Sequence, residues 1–198
     1  MTTTFFLIRH AAHDRVESVL CGRIPGVTLG EKGQAQAQAL AERFADEDIA
    51  YICTSPLERA VETAAPIAAR LGTPAEPCDD ISEIDFGSWS GLSFEELLGD
   101  PRWHSWNRNR GTSCPPGGES MQEAQLRIVR ALERLRSLHP ERSVILVSHS
   151  DVIKAALLYH LGMPLDAYTR IEISPASIST VVIGDWGAKV LRMNEVVA

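Results

Sequence analysis

The segment Ser143-Val-Ile-Leu-Val147 leads directly into Ser148-His149-Ser150 and then into a helical pattern over residues 151–161. A short apolar run of this kind is typical of a strand that is buried on both faces of a sheet. The run Phe5–Ile8 has the same character and leads into Arg9-His10. Because strands that alternate with helices form parallel sheets, the two segments predict strands of one sheet, each with a histidine at its carboxyl end.

Two further helices and one strand follow the same alternation. The sequence Thr28-Leu-Gly-Glu31 has the form of a capping box and predicts a helix that continues to about Ala45. Residues 49–54 predict a second strand. In Ser55-Pro-Leu-Glu58, a serine cap, a proline at the first helical position and a glutamate three residues after the cap predict a helix that ends at Gly72.

The second half of the chain predicts one long helix and a hairpin. Apolar residues recur at helical spacing from Ser120 to about Leu138. Residues 178–183 and 188–193 are separated by Gly-Asp-Trp-Gly, which is typical of a hairpin. Together these elements predict an α/β fold, a three-layer sandwich with a mostly parallel sheet, helices on both faces and an antiparallel C-terminal edge.

The periodicity weakens at about residues 88–118, which we interpret as a flap inserted into a single domain of residues 1–198. Ser93-Phe-Glu-Glu96 predicts a short helix in this flap, whereas residues 100–118 predict an irregular segment. Aromatic and basic side chains on such an insertion suit a cover over a substrate, although a packed loop or an oligomer contact explains them as well. The residues concerned are Trp103, His104, Trp106, Arg108 and Arg110.

Composition narrows the class of protein. The chain has 198 residues, 44% of them apolar and 23% charged, with a net charge of −7. This balance fits one globular domain and disfavours a nucleic-acid binder. The start of the chain lacks a basic region and no apolar run is long enough to span a bilayer, so no signal peptide or membrane contact is expected. Four widely spaced cysteines without a C-x-x-C pair suit the reducing cytoplasm, and a homodimer is compatible with the sequence.

Cationic side chains follow three separate strands at the sheet edge where ligands bind in such folds. Arg9-His10 and His149 end two of the strands, and Arg59 lies one turn into the helix after the third. Two guanidinium groups favour a phosphate or carboxylate ligand. A neutral imidazole attacks phosphorus directly. The leaving alkoxide then needs a proton from a carboxylic acid, for which Glu83 and Asp85 are the candidates.

Six blocks of sequence occur in an order that is specific to one family. They are Leu7-Ile-Arg-His10, residues 22–35, residues 55–64, Glu83-Ile-Asp-Phe-Gly-Ser-Trp-Ser-Gly91, Pro116-Gly-Gly-Glu-Ser120 and Val147-Ser-His149. Over nearly its whole length the chain resembles the histidine phosphatase superfamily, which has the phosphoglycerate mutase-like fold. The resemblance implies a phosphomonoesterase that acts through a phosphohistidine on a small phosphorylated metabolite, with neither metal nor cofactor.

The resemblance also implies a role for each residue at the sheet edge. His10 is expected to be the phosphorylated nucleophile, and Glu83 the proton donor that then activates water. Arg9, Arg59 and His149 are expected to hold the transferring phosphoryl group. Further substrate contacts are expected from His13, Cys21, Gly22, Arg23 and Ser150.

The chain departs from the family pattern after the nucleophile. The family usually has glycine where this chain has Ala11, whose methyl group lies where the backbone passes close to phosphate. It usually has asparagine where this chain has Val16, which removes an amide donor. His13 either replaces that donor or is a solvated loop residue. The spacing of His10 and His13 follows a strand rather than a helix, so no metal site is expected.

Two other functions fit the same residues. A phosphomutase would return the phosphoryl group to a second hydroxyl, but the dedicated glycolytic mutases are longer, and residues 108–116 keep only a trace of their basic run. A non-catalytic phospholigand-binding module would explain the altered loop after His10. The retained proton donor Glu83 favours the enzyme, with a pH optimum near or below neutrality because Glu83 must be protonated and His10 neutral.

Overall fold

The computed structural model describes residues 1–15 and 18–197, so the prediction made for Val16 lies outside the described residues. Six strands form one sheet. They are β1 (Thr2–Arg9), β2 (Ile49–Thr54), β3 (Ala75–Pro77), β4 (Ser143–Ser148), β5 (Ser177–Gly184) and β6 (Gly187–Val196). The helices are α1 (Glu31–Arg43), α2 (Glu58–Leu71), α3 (Phe94–Leu98), α4 (Pro101–Arg108), α5 (Met121–Leu138) and α6 (Ser150–His160).

The strand order is β3-β2-β4-β1-β5-β6, and the direction of pairing changes once across the sheet. The strands β3, β2, β4 and β1 pair in parallel, whereas β5 is antiparallel to both β1 and β6. The prediction of a mostly parallel sheet with an antiparallel C-terminal edge is therefore confirmed. The parallel register places Arg9 opposite Ser148, so β1 and β4 end at the same level.

Alternate residues of the central strands face two separate apolar cores. Phe6 and Ile8 of β1 pack with apolar residues of α1 and α2 on one face. Phe5 and Leu7 pack with α5, α6 and the segment that contains α3 and α4 on the other. This alternation follows from the period of two along a strand, and it confirms the three-layer prediction.

The N-caps that the sequence predicts for α1 and α2, at Thr28 and Ser55, are wrong. Gly30 is the N-cap of α1 and Leu57 that of α2, and neither makes a side-chain cap hydrogen bond. The Ser55 hydroxyl instead accepts hydrogen bonds from the ring of His149 and from the Leu57 amide. The backbone before α1 is anchored on α2, since the Leu29 amide donates to the carboxylate of Glu62 at 2.7 Å.

The segment from residue 88 to 118 is more regular than predicted. The capping box at Ser93 begins α3, as expected. Residues 101–108 form the helix α4 rather than an irregular segment, because Asp100 caps it and Pro101 occupies its first position. In the part of the chain at 1–15 and 18–197, no helix is both long and apolar enough to cross a membrane.

The loop after His10 is fixed by both helices of its face. The Ala11 amide donates to the hydroxyl of Thr63 at 2.9 Å, and the Ala12 amide donates to the side chain of Gln36 at 3.0 Å. Gly33 on α1 packs directly against the Ala12 carbonyl, so that a methyl group at residue 33 would overlap the carbonyl oxygen. Glycine is therefore required here by close approach rather than by backbone conformation.

We expect Gly33→Ala to destabilise the protein by about 1–3 kcal/mol, because the added methyl group forces the loop after His10 off its helix. This sign is the reverse of the ordinary effect, since alanine is favoured over glycine within a helix by about 1 kcal/mol. Urea denaturation measures the difference. Gln38→Ala, at an exposed position of α1, is the matched control and should leave stability within about 0.5 kcal/mol. A Gly33→Ala protein as stable as this control would contradict the steric argument.

Candidate active site

The carboxyl ends of β1, β2 and β4 meet around one cavity of about 310 Å³. This volume is at the small end of the range for ligand sites. Arg9, His10, Arg59 and Glu83 line the cavity, and the ring of His149 lies 5.2 Å from that of His10. The structure thus brings together all five residues that the sequence predicts to be catalytic.

His10 is buried and held in one tautomer. Its Nδ1 atom lies 2.8 Å from the Ala11 carbonyl oxygen, which accepts a hydrogen bond. The proton is therefore on Nδ1, and the lone pair on Nε2 is available to a ligand. Burial, reinforced by the charges of Arg59 and Arg9, lowers the pKa of His10 well below its usual value. The side chain is neutral at pH 7, as a nucleophile must be.

His149 is fully buried between a donor and an acceptor. The Nη2 group of Arg59 lies 3.3 Å from its Nδ1 atom, and its Nε2 atom lies 2.8 Å from the hydroxyl of Ser55. Because the guanidinium can only donate, the proton of His149 is on Nε2 and points at Ser55. Burial and the charge of Arg59 lower its pKa well below the usual value, so this ring is neutral as well.

The two arginines are anchored by backbone carbonyls. Arg59 donates from Nη2 to the Gly22 carbonyl at 2.7 Å, and Arg9 donates from Nη1 to the Ile173 carbonyl at 2.6 Å. The Nε and Nη1 groups of Arg59 and the Nε group of Arg9 are buried without a partner among the described residues. Unpaired buried donors are unfavourable, so the site is suited to a ligand with several anionic oxygens.

Glu83 lies across the cavity, and its backbone is clamped. Its Oε2 atom is 3.8 Å from Nδ1 of His149. Its carbonyl oxygen accepts hydrogen bonds from Arg23 at 2.6 Å and from Arg127 at 3.3 Å. Both arginines also form ion pairs with Glu119, at 2.9 and 2.7 Å. Burial, together with the nearby charge of Asp151, raises the pKa of Glu83 to about 7.

The alternative acid, Asp85, serves the local turn. Its Oδ1 atom accepts the amide of Gly87 at 2.8 Å, and it is not among the described residues that line the cavity. The geometry therefore favours Glu83 as the acid.

The predicted substrate contacts fall into two groups. His13, Cys21, Gly22 and Ser150 line the cavity. The ring of His13 stacks on that of His10 at 5.4 Å, and burial lowers its pKa to about 4, so it is neutral at pH 7. Arg23 does not line the cavity, because its guanidinium binds the Glu83 carbonyl and Glu119.

The flap residues divide in the same way. Trp103 and Arg110 line the cavity, whereas His104 and Arg108 are exposed. Trp106 is fully buried, which fits the packed-loop alternative for this residue rather than a cover over a substrate. Its ring packs against the guanidinium of Arg110, with 4.2 Å between the carbon centre and the ring centroid. The exposed tryptophan is Trp186, in the β5–β6 turn.

Sequence reasoning missed most of the outer wall of the cavity. Asp151 had a signal, since it follows the Ser148-His149-Ser150 turn at the end of β4. Phe86 and Phe94 lie in segments that do carry a signal, the block from Glu83 to Gly91 and the capping box at Ser93, but those patterns do not single out the two side chains. Val19, Leu20, Asn107 and Tyr168 lie in segments that carry no motif.

The arrangement has the parts that transfer of a phosphoryl group requires. It combines a neutral imidazole with a free lone pair, guanidinium donors that have no partner in the described part of the chain and a carboxyl group that is half protonated near pH 7. Stabilisation of charge on the transferring group and protonation of the leaving oxygen are the two demands of that chemistry.

Comparisons with known proteins find similar chains over almost the whole length of this one. The chain is 34% identical over 91% of its length to the uncharacterized protein Rv0525 of Mycobacterium tuberculosis, 90% of which is covered. It is 31% identical to phosphoserine phosphatase 1 of Hydrogenobacter thermophilus, with 95% of this chain and 90% of that protein covered. Among solved structures, Bacillus stearothermophilus YhfR matches with a TM-score of 0.91 and 27% identity, and 98% of each chain is covered.

The match to a family spans almost the whole chain. The family model of the histidine phosphatase superfamily (branch 1) matches residues 5–196. The order of strands, the convergence of their carboxyl ends and the two buried histidines are the structural counterpart of that match. The chain belongs to the histidine phosphatase superfamily.

Proposed function

We propose that the protein is a phosphomonoesterase that works through a phosphohistidine on a small phosphorylated metabolite and needs no metal ion. The observation that carries this proposal is the set of buried, unpartnered guanidinium donors beside the free Nε2 atom of His10. The three oxygens of a phosphoryl group would pair with those donors. A carboxylate ligand would not give the imidazole an atom to attack.

In the first step, Nε2 of His10 attacks phosphorus and the bond to the ester oxygen breaks. Arg9 and Arg59 bind the equatorial oxygens, on which charge accumulates in the transition state. Glu83 donates its proton to the departing alkoxide, which leaves as the neutral alcohol. A pKa of about 7 keeps about half of this carboxyl group protonated at neutral pH.

In the second step, water attacks the phosphohistidine. Glu83 is now ionised, so it accepts the proton that water loses, and its protonated form is restored. The bond between phosphorus and Nε2 breaks, inorganic phosphate leaves, and His10 returns to its neutral form. Positive charge comes from the two guanidinium groups throughout, which is why the proposed reaction runs in the presence of a chelator.

We expect His10→Ala to lower the hydrolysis of an aryl phosphate at least about 10³-fold, because the variant has no atom that forms the covalent intermediate. The assay is phosphate release in the presence of EDTA. His104→Ala, at an exposed histidine of α4, is the matched control and should keep wild-type activity. Equal rates in wild type and His10→Ala would refute the assignment of the nucleophile.

We expect kcat/KM for an alkyl phosphate to fall as the pH rises above about 7, by up to tenfold per pH unit, because the required form of Glu83 is the protonated one. The decline should be absent in Glu83→Gln, whose rate is lower at every pH. An aryl phosphate with a good leaving group needs little proton donation, so Glu83→Gln should lose at least about tenfold less activity with that ester. A decline that persists unchanged in Glu83→Gln would assign the proton donor elsewhere.

A further inference from the structure

The outer half of the cavity is apolar on one side. Beyond the histidines and arginines it is lined by side chains without charge, namely Val19, Leu20, Phe86, Phe94 and Trp103. An ester whose phosphoryl group lies at His10 directs its alcohol portion toward this wall. Apolar surface that leaves water on binding favours association in proportion to its area.

This wall is held in place by hydrogen bonds and ring packing within the protein. The Leu20 amide donates to the Leu92 carbonyl at 2.9 Å, and the Gly91 amide donates to the Leu20 carbonyl at 2.8 Å. The ring of Trp103 packs edge-to-face against Trp89, with 5.4 Å between the ring centroids. Because the protein's own contacts hold the wall in place, ligand binding requires little further ordering of these side chains.

The cavity lining also includes Arg110, whose positive charge is paired with Asp151. Arg110 is buried, and its Nη1 group lies 2.8 Å from Oδ2 of Asp151. Its guanidinium stacks between Trp106 and Tyr168, at 4.2 and 4.0 Å from their ring centroids. It also donates to the side chain of Asn107 at 3.2 Å. The Nε group of Arg110 has no partner among the described residues, but its charge is paired with Asp151 and its guanidinium packs against two aromatic rings.

The balance of charge limits what the alcohol portion may carry. Three arginines, Arg9, Arg59 and Arg110, are the cations among the described residues that line the cavity. Two of them face the phosphoryl group, and the third is paired with Asp151. Asp151 supplies negative charge on the leaving-group side, and Glu83 adds to it only in its ionised form. A carboxylate on the alcohol would be repelled by Asp151 and would find, among the described residues that line the cavity, no cation without a counter-ion or a phosphoryl partner.

We propose that the cavity selects phosphomonoesters whose alcohol portion is uncharged and mainly apolar or aromatic, and discriminates against esters that also carry a carboxylate. This inference rests on the proposed function for the placement of the phosphoryl group at His10. The apolar wall supplies the attraction, and the Arg110–Asp151 pair withholds the cation that a carboxylate would need.

The first test measures binding without turnover. We expect the His10→Ala protein to bind benzyl phosphate and phenyl phosphate at least about tenfold more tightly than O-phosphoserine or 3-phosphoglycerate in titration calorimetry. All four probes present a phosphate monoester, so a difference in Kd reports on the alcohol portion. Equal affinities, or tighter binding of the carboxylate-bearing esters, would overturn the proposed selectivity.

The second test moves the selectivity in a known direction. Asp151→Asn keeps the shape of the side chain but leaves Arg110 without its counter-ion. We expect it to shift the ratio of Kd values at least about fivefold toward 3-phosphoglycerate. Phe94→Ala should weaken binding of benzyl phosphate and leave that of O-phosphoserine unchanged. Arg108→Ala, on an exposed residue of the same helix as Trp103, should leave every ratio unchanged.

Turnover by the wild-type protein separates this inference from the proposed function. If aryl and benzyl esters bind more tightly but no ester releases phosphate, the proposed hydrolysis is refuted and the proposed selectivity stands. Hydrolysis of all four esters with equal kcat/KM and equal Kd would retain the hydrolysis and refute the selectivity. A ratio that Asp151→Asn leaves unchanged would refute the role of the Arg110–Asp151 pair.

Discussion

The burial of two guanidinium groups beside two imidazoles is the constraint on which the rest of this site depends. Positively charged groups that lie close together in a low-dielectric interior repel one another strongly. The fold meets this constraint by keeping His10 and His149 neutral. It also satisfies Arg9 and Arg59 in part with carbonyl oxygens. The remaining guanidinium donors have no partner among the described residues, so an oxyanion bound in the cavity would receive their hydrogen bonds.

That solution places demands on segments far apart in the chain. The carbonyls that hold Arg59 and Arg9 come from the loop at Gly22 and from Ile173, just before β5. Glu83, the proposed proton donor, depends on Arg127 of α5, whose guanidinium donates to both Glu119 and the Glu83 carbonyl. The site is therefore supported in part by residues that do not line the cavity, namely Ile173, Glu119 and Arg127, as a precisely placed constellation requires.

The fold and the inner part of the site can be predicted from the sequence for the same reason. Buried parallel strands are continuous apolar runs, and residues that follow them must lie at one edge of the sheet. This rule places His10 and His149 close together on the basis of the sequence alone. It could not place Phe94 or Tyr168, because their contribution depends on how loops and short helices fold back over that edge. The wrong cap at Ser55 has a similar origin, since local pattern cannot show that its hydroxyl is needed by a histidine 94 positions away.

The positions of the tryptophans make the protein its own optical probe. Trp89 and Trp106 are buried in the segment that covers the cavity, and Trp103 lines the cavity itself. Trp186 is 60% exposed in the turn between β5 and β6. Intrinsic fluorescence therefore combines emission from the tryptophans in and near the cavity with emission from Trp186 in the water-exposed turn. Replacement of Trp186 by phenylalanine would leave emission from Trp89, Trp103 and Trp106 only, so that occupancy of the cavity can be followed at Trp103 and its neighbours without any attached dye.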